Sequence, residues 1–305
     1  MLTTTFKNTP KFLYNMLWWH TQKYASDRRL VIRYRSCRGG TTWYCASLEK
    51  LCDKNYIITI KLVRKESQFK SGPRRINFFN DLKMIEKLNS SKYISYSHQH
   101  IYLNNVKKRS NRKVRIFNHE LVVFPGVYET DKDTELIAKS VHINKKQSFL
   151  ELGTGCGAVS IYLSSKCKNG VASDINPQAV RNARYNANKL GINNIKFLSS
   201  DLFDNIKGKY DIIVFNPPYS NYKARDLTDK MFWDTNNRVK KKFFKKVNNY
   251  LKLNGKIFFG WANFKDLDIN LPLRLAKKEG LKVKKCFKQD SGKGFKFIVL
   301  EIAKH

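Results

Sequence analysis

The stretch that decides the fold is Phe149-Leu150-Glu151-Leu152-Gly153-Thr154-Gly155-Cys156-Gly157-Ala158-Val159-Ser160-Ile161. An apolar strand runs into a glycine loop and out into an apolar helix-forming segment. Glycine turns tightly and lets a ligand approach the backbone where a side chain would clash. The pattern is E-x-G-x-G-x-G. It is not the dinucleotide fingerprint G-x-G-x-x-G, because Ala158 fills the place of the last glycine. No catalytic dyad follows, so a nicotinamide oxidoreductase is disfavoured.

Downstream, two acids stand at the ends of successive predicted strands. Asp174 lies 21 residues beyond Gly153. A carboxylate there can accept both ribose hydroxyls of an adenosine. Asp201, in Ser199-Ser200-Asp201-Leu202-Phe203, can accept from an adenine amino group, with Leu202 or Phe203 against the ring. Taken alone, a glycine loop can be a turn and either acid can be a helix cap. Three such features in order at successive strand tips point to a nucleotide-like cofactor.

A fourth strand ends in Ile212-Ile213-Val214-Phe215-Asn216-Pro217-Pro218-Tyr219. The prolines set the backbone and remove two N–H donors, which leaves carbonyls free to accept. The Asn216 side-chain oxygen and the Pro217 carbonyl can together take both hydrogens of a planar NH2 group. Tyr219 offers a face for a planar amide or base.

Around these motifs the chain alternates strands and helices, which implies an α/β fold with a parallel sheet and right-handed crossovers. Strands are expected at Phe149–Leu152, Gly170–Ser173, Ile195–Leu198, Tyr210–Phe215, Lys256–Gly260, Leu281–Phe287 and Phe295–Ile302. Helices are expected at Asp133–Val141, Ala158–Lys166, Pro177–Leu190, Asn237–Leu251 and Leu271–Glu279. Val114–Phe117 and Glu120–Phe124, joined at Asn118-His119, read as a hairpin. The basic stretch Val106–Lys113 marks a domain boundary, with residues 1–112 forming a smaller N-terminal α+β region and residues 113–305 the hairpin and catalytic domain. In the first part Leu30–Arg35 and Tyr56–Arg64 read as strands, Arg38–Gly40 and Ser71–Pro73 as turns, and Phe78–Leu88 as a short helix.

The segments ELGTGCGAVSI, SDINPQAV, SSDLF and NPPY resemble class I S-adenosylmethionine-dependent methyltransferases. Within that class they are similar to the HemK-type enzymes, which methylate the side-chain amide of glutamine in translation release factors. The stretch His119–Leu136 also resembles the hairpin before that family's catalytic domain. One departure is clear: Thr130, Asp131 and Lys132 stand where the family usually carries Pro-Arg-Pro, just before Asp133-Thr134-Glu135. The resemblance implies a Rossmann-like seven-stranded sheet with an antiparallel C-terminal strand. It also implies that Gly153, Thr154, Gly155, Cys156 and Gly157 surround the methionine part of S-adenosylmethionine with Glu151 behind it. Asp174 would hold the ribose, Asp201 and Leu202 the adenine, and Asn216, Pro217, Pro218 and Tyr219 the target amine. NPPY is shared with enzymes that methylate exocyclic amines of adenine or guanine, so a protein glutamine and a nucleobase both remain as acceptors. A non-catalytic RNA-binding protein keeping the fold is the alternative of a different class.

Charge bears on the partner. The 305 residues carry 59 Lys and Arg against 24 acids, a net +35. The excess is spread along the chain, with 25 basic and 7 acidic side chains in residues 1–120 and 34 and 17 in the rest. Self-repulsion of that size is easier to tolerate beside a polyanion, which fits nucleic acid or a ribonucleoprotein. Lys240, Lys241, Lys242, Lys245 and Lys246 would give either a phosphate-binding face or a solvated helix face. Trp18, Trp19, Trp43 and Tyr44 either stack bases or belong to a core. The six cysteines form no C-x-x-C pair, and Cys37, Cys45 and Cys52 match no common zinc spacing, so reduced thiols and no metal are expected. No run of eighteen apolar residues occurs, so no membrane span is expected. A cytoplasmic location follows, with organellar targeting by the acid-free residues 1–26 or an amphipathic helix as the two readings of that segment.

Overall fold

The computed structural model describes strands at residues 30–35, 42–51 and 55–64, and the continuous stretch 90–304. Residues 1–26, read as a targeting segment or an amphipathic helix, the helix expected at residues 78–88 and the turns at residues 38–40 and 71–73 lie outside the described residues. The chain divides into two units, Met1–Arg74 and Arg75–His305.

In the first unit β1 (Leu30–Arg35), β2 (Thr42–Leu51) and β3 (Asn55–Arg64) form a sheet in the order β1-β3-β2. β1 runs parallel to β3 and β2 antiparallel to it. β2 was not foreseen: polar Ser47, Glu49 and Lys50 break up its apolar alternation.

The second unit opens with α1 (Tyr96–Val106), also unforeseen because its apolar periodicity is weak. The hairpin follows as β4 (Arg112–Ile116) and β5 (His119–Val123). Its tip is Phe117-Asn118, both at positive φ (51° and 65°), one residue earlier than expected. Two such residues give the primed turn that matches strand twist. Then come α2 (Lys132–Ser140), β6 (Ser148–Leu152), α3 (Ala158–Ser164), β7 (Asn169–Asp174), α4 (Pro177–Lys189), β8 (Ile195–Ser199) and β9 (Tyr210–Phe215). After β9 the chain forms α5 (Arg238–Val247), β10 (Leu251–Ala262), α6 (Leu271–Lys278), β11 (Leu281–Asp290) and β12 (Lys296–Lys304).

Seven strands form one sheet in the order β11-β12-β10-β9-β6-β7-β8. All neighbours from β8 to β10 are parallel, and β12 is antiparallel to both of its neighbours. The expected architecture is therefore present. The alternation in β9 separates the two faces. Ile213 and Phe215 pack with Phe243, Phe244 and Val247 of α5. Ile212 and Val214 pack with Ile137, Val159 and Val180 of α2, α3 and α4. Each such fully buried side chain contributes roughly 1.5–3 kcal/mol. β10 begins at Leu251, where the expected helix was to end, because the helical pattern stops at Val247 and the chain turns straight into the sheet.

This order sets the site. The chain steps outward from β6 to β7 to β8, then returns to the other side of β6 with β9. The crevice at such a reversal, beyond the carboxyl ends of the strands, is where open α/β sheets bind ligands. The glycine loop leaves β6 there, and Asn216–Tyr219 leave β9 beside it.

Candidate active site

A cavity of about 740 Å³ opens at that crevice. Its lining includes Glu151, Gly153, Thr154, Gly155, Cys156, Asp174, Asp201, Leu202, Asn216, Pro217, Pro218 and Tyr219. Gly157, expected among them, does not line it. Its φ is +90°, it precedes α3, and a Cβ there would come within 3.0 Å of the Ala183 Cβ. Gly157 therefore sets the close packing of α3 on α4.

The glycine loop is held by its own acids. Gly153 and Gly155 have φ of +69° and +56°, so glycine suits both positions, and nothing lies within 4 Å of a Cβ added at Gly155. Asp174 accepts the Gly155 N–H at 3.0 Å and the Asn176 N–H at 2.9 Å, one on each carboxylate oxygen. Glu151 is buried and accepts from the Thr154 hydroxyl at 2.9 Å, the Ser160 N–H at 3.1 Å and the Ser160 hydroxyl. Burial outweighs these donors and pushes its carboxyl up to about 7. The Cys156 thiol is pushed up to about 12 by burial, so it is no nucleophile. Leu202, buried, sits at φ +55° in a tight turn in which the Ser200 hydroxyl donates to the Leu202 carbonyl at 2.8 Å. Lys242 pairs with Asp201 at 3.1 Å.

The other half of the cavity is aromatic, with Tyr93, Tyr102, Tyr128, Phe232, Trp233 and Phe264 in its wall. α1 reaches this half through the Trp233 indole N–H, which donates to Gln99 at 3.0 Å. At its floor the Asn216 amide is fixed from two sides. Its Nδ2 donates to Asp133 at 2.9 Å, and its Oδ1 accepts from the Tyr219 hydroxyl at 2.6 Å. Asp133 also accepts from the hydroxyls of Tyr128 at 3.2 Å and Tyr219 at 3.3 Å. Burial raises the Asp133 carboxyl above its ordinary value and holds the Tyr128 and Tyr219 phenols protonated. Among the described residues, the Pro217 carbonyl accepts no hydrogen bond from the protein.

Sequence reasoning missed Asp133 as a member of the site, since its contact with Asn216 spans 83 residues. It also missed Gly260. A Cβ there would stand 2.1 Å from the Asn216 Oδ1, so the bare backbone makes room for that amide. The signal was available: a glycine inside the apolar run Ile257–Trp261 marks a close approach.

Of the α5 lysines, read from sequence as either a phosphate-binding or a solvated face, Lys241 and Lys245 are exposed but Lys240 departs from both readings. Lys240 is fully buried, Lys242 and Lys246 pair with Asp204 at 2.9 and 3.3 Å, and Lys241 donates to the Asn236 carbonyl at 2.9 Å.

The methyltransferase small domain matches residues 116–288 of this sequence, more than half of the chain. The chain belongs to that family. It is an S-adenosylmethionine-dependent methyltransferase of the HemK type. A putative protein N5-glutamine methyltransferase from Methanocaldococcus jannaschii is 37% identical over 149 residues, covering 47% of this chain and 75% of that one. A release factor glutamine methyltransferase from Buchnera aphidicola subsp. Acyrthosiphon pisum is 42% identical over 96 residues. That match spans 30% of this chain and 35% of the relative's length. A solved methyltransferase from Pyrococcus furiosus aligns with a TM-score of 0.49 at 18% identity, covering 70% of this chain and all of that one. In this methyltransferase the hairpin is bolted to α4 by two asparagines. Asn182 accepts from the Phe124 N–H at 2.8 Å and Asn186 from the Val122 N–H at 2.9 Å. Among the described residues no helix is long and apolar enough to cross a membrane.

Proposed function

We propose that this methyltransferase transfers a methyl group from S-adenosylmethionine to the side-chain amide nitrogen of a protein glutamine, on a factor of the translation machinery. The observation that carries it is the pair of acceptors at the end of β9. The Asn216 Oδ1 is held by Tyr219 and by the grip of Asp133 on its own amide, and the Pro217 carbonyl has no protein donor among the described residues. Two fixed acceptors side by side suit a planar NH2 group. The relatives named as glutamine methyltransferases favour an amide over a nucleobase, as do the burial of Lys240 and the pairing of Lys242 and Lys246 with acids.

The residues that line the crevice fit the cofactor. The open space beside Gly155 lets a ligand lie against bare backbone. Each Asp174 oxygen carries one N–H and so keeps a lone pair for a ribose hydroxyl. The exposed Asp201 can accept from an adenine amine, with Leu202 beside it. Glu151 lies under the loop, where a nearby cation would favour its ionised form.

When bound, S-adenosylmethionine supplies a methyl group on a sulfonium, already a strong electrophile. The protein's task is then alignment. An amide nitrogen is a poor nucleophile because its lone pair is delocalised. Asn216 and Pro217 accept its two hydrogens, orient the lone pair and favour the charge that develops on nitrogen; one of those hydrogens then leaves as a proton to solvent as the nitrogen keeps the methyl group. The aromatic wall keeps water from the reacting groups and packs against the planar amide. No covalent enzyme intermediate is required.

The test offers the purified protein methyl-labelled S-adenosylmethionine with a ribosome and release-factor fraction, total RNA and genomic DNA in parallel. Label in a protein band is the expected result. Label in nucleic acid that survives protease overturns the glutamine reading in favour of a base amine.

A further inference from the structure

Lys240 is buried with none of its surface exposed, on the side of α5 that faces the Asn216–Tyr219 loop. All three of its ammonium hydrogens are engaged. Its Nζ donates to the Pro218 carbonyl at 2.8 Å and to the Tyr219 carbonyl at 3.2 Å, and it pairs with the Asp234 carboxylate at 2.9 Å. Asp234 is itself buried and anchored, accepting the Val239 and Lys240 N–H groups at 2.8 and 3.1 Å. The Asp234 N–H donates to the Ser220 carbonyl at 2.8 Å.

Burying an ammonium and a carboxylate side by side is costly compared with apolar residues of the same volume, so a fold does not gain stability from it by default. What the pair does here is local. Pro217 and Pro218 have no N–H, so the run cannot brace itself with its own backbone hydrogen bonds. The prolines fix φ but not ψ, so the direction of the run's carbonyls is still to be set. An ammonium fixes two of them at once, from a helix whose other residues, Phe243, Phe244 and Val247, are packed under the sheet.

We propose that Lys240, with Asp234 as its counter-ion, is a positioning residue for methyl transfer. By holding the Pro218 and Tyr219 carbonyls away from the acceptor, it leaves Pro217 as the carbonyl of the run that is presented beside Asn216. The turnover part of this inference rests on the function proposed above; the structural part does not. Burial lowers the Lys240 ammonium from its ordinary value, and Asp234 opposes that shift.

The test uses the full chain. Lys240→Met alone strands a buried carboxylate and risks misfolding. The double variant Lys240→Met, Asp234→Asn removes both charges while keeping volume and an acceptor at the start of α5. The expected result is a folded protein that binds S-adenosylhomocysteine within about threefold of the parent. Its Tyr219 and Ser220 amides should exchange hydrogen roughly tenfold faster. Its kcat should fall about tenfold or more, with a smaller change in KM for a glutamine peptide. Parent-like exchange and kcat in the folded variant overturn the proposal, and so does an equal loss of cofactor binding. If the parent methylates no acceptor, the function proposed above fails, while the exchange measurement still decides the clamp.

Discussion

Asn216 shows how little freedom packing leaves a polar side chain in the crevice. Its nitrogen is tied to Asp133 and its oxygen to Tyr219, and only one lone pair of that oxygen remains to accept a substrate N–H. Asn216→Ala should therefore lower kcat by roughly 10²-fold, with cofactor affinity nearly unchanged; turnover at the parent rate would sink the two-acceptor scheme. Glu151 makes a pH prediction. Its folded carboxyl holds its proton up to about 7, against an ordinary 4.5. Between those values the folded protein keeps a proton that the unfolded chain has released, so stability falls as pH rises through the window, in total by on the order of 3 kcal/mol. Asp133 and Asp174, also raised by burial, add to the slope in the same direction. Urea midpoints at pH 5 and pH 8 should thus differ less in Glu151→Gln than in the parent, and an unchanged difference would count against the buried acid as the cause.

At the scale of elements, most of the site comes from the carboxyl ends of strands, with Asp133 added from the start of α2. β6 ends at the glycine loop, β7 at Asp174, β9 at Asn216, and β10 contributes Gly260 by offering no side chain. The β10 contribution is the easiest to test. Gly260→Ala puts a methyl group where the Asn216 oxygen stands, 2.1 Å away. Neither the strand nor Asp133 can yield far, so Asn216 must turn. We expect kcat to drop about 10²-fold, as for a misplaced catalytic group, while S-adenosylhomocysteine still binds. Loss of binding instead would mean that the whole crevice had shifted. Helix α5 teaches a related lesson. Its five lysines read in sequence as either a phosphate-binding or a solvated face, but Lys240 is turned inward to the Asn216–Tyr219 loop, and Lys242 and Lys246 pair with Asp201 and Asp204. Charge counted along a helix does not say which side of it faces solvent.

At the scale of the whole molecule, the alternation of strands and helices from Phe149 to Ile302 determined the sheet, because apolar periods of two and of about 3.6 residues can each be buried in only one way. The glycine loop, Asp174, Asp201 and N-P-P-Y were legible for the same local reason, since each follows directly on the strand that positions it. α1 and β2 were not legible, since polar residues blur their periodicity. Contacts that join distant parts of the chain were beyond the sequence as well. Asp133 meets Asn216, Gly260 clears its space, and Lys240 grips the loop after it only once α2, β9, β10 and α5 are packed. Sequence specifies which chemical groups stand at a strand's end. Only packing decides which of them are buried, and burial decides whether a lysine binds phosphate or braces a backbone and whether an acid is a surface charge or the partner of the Asn216 amide.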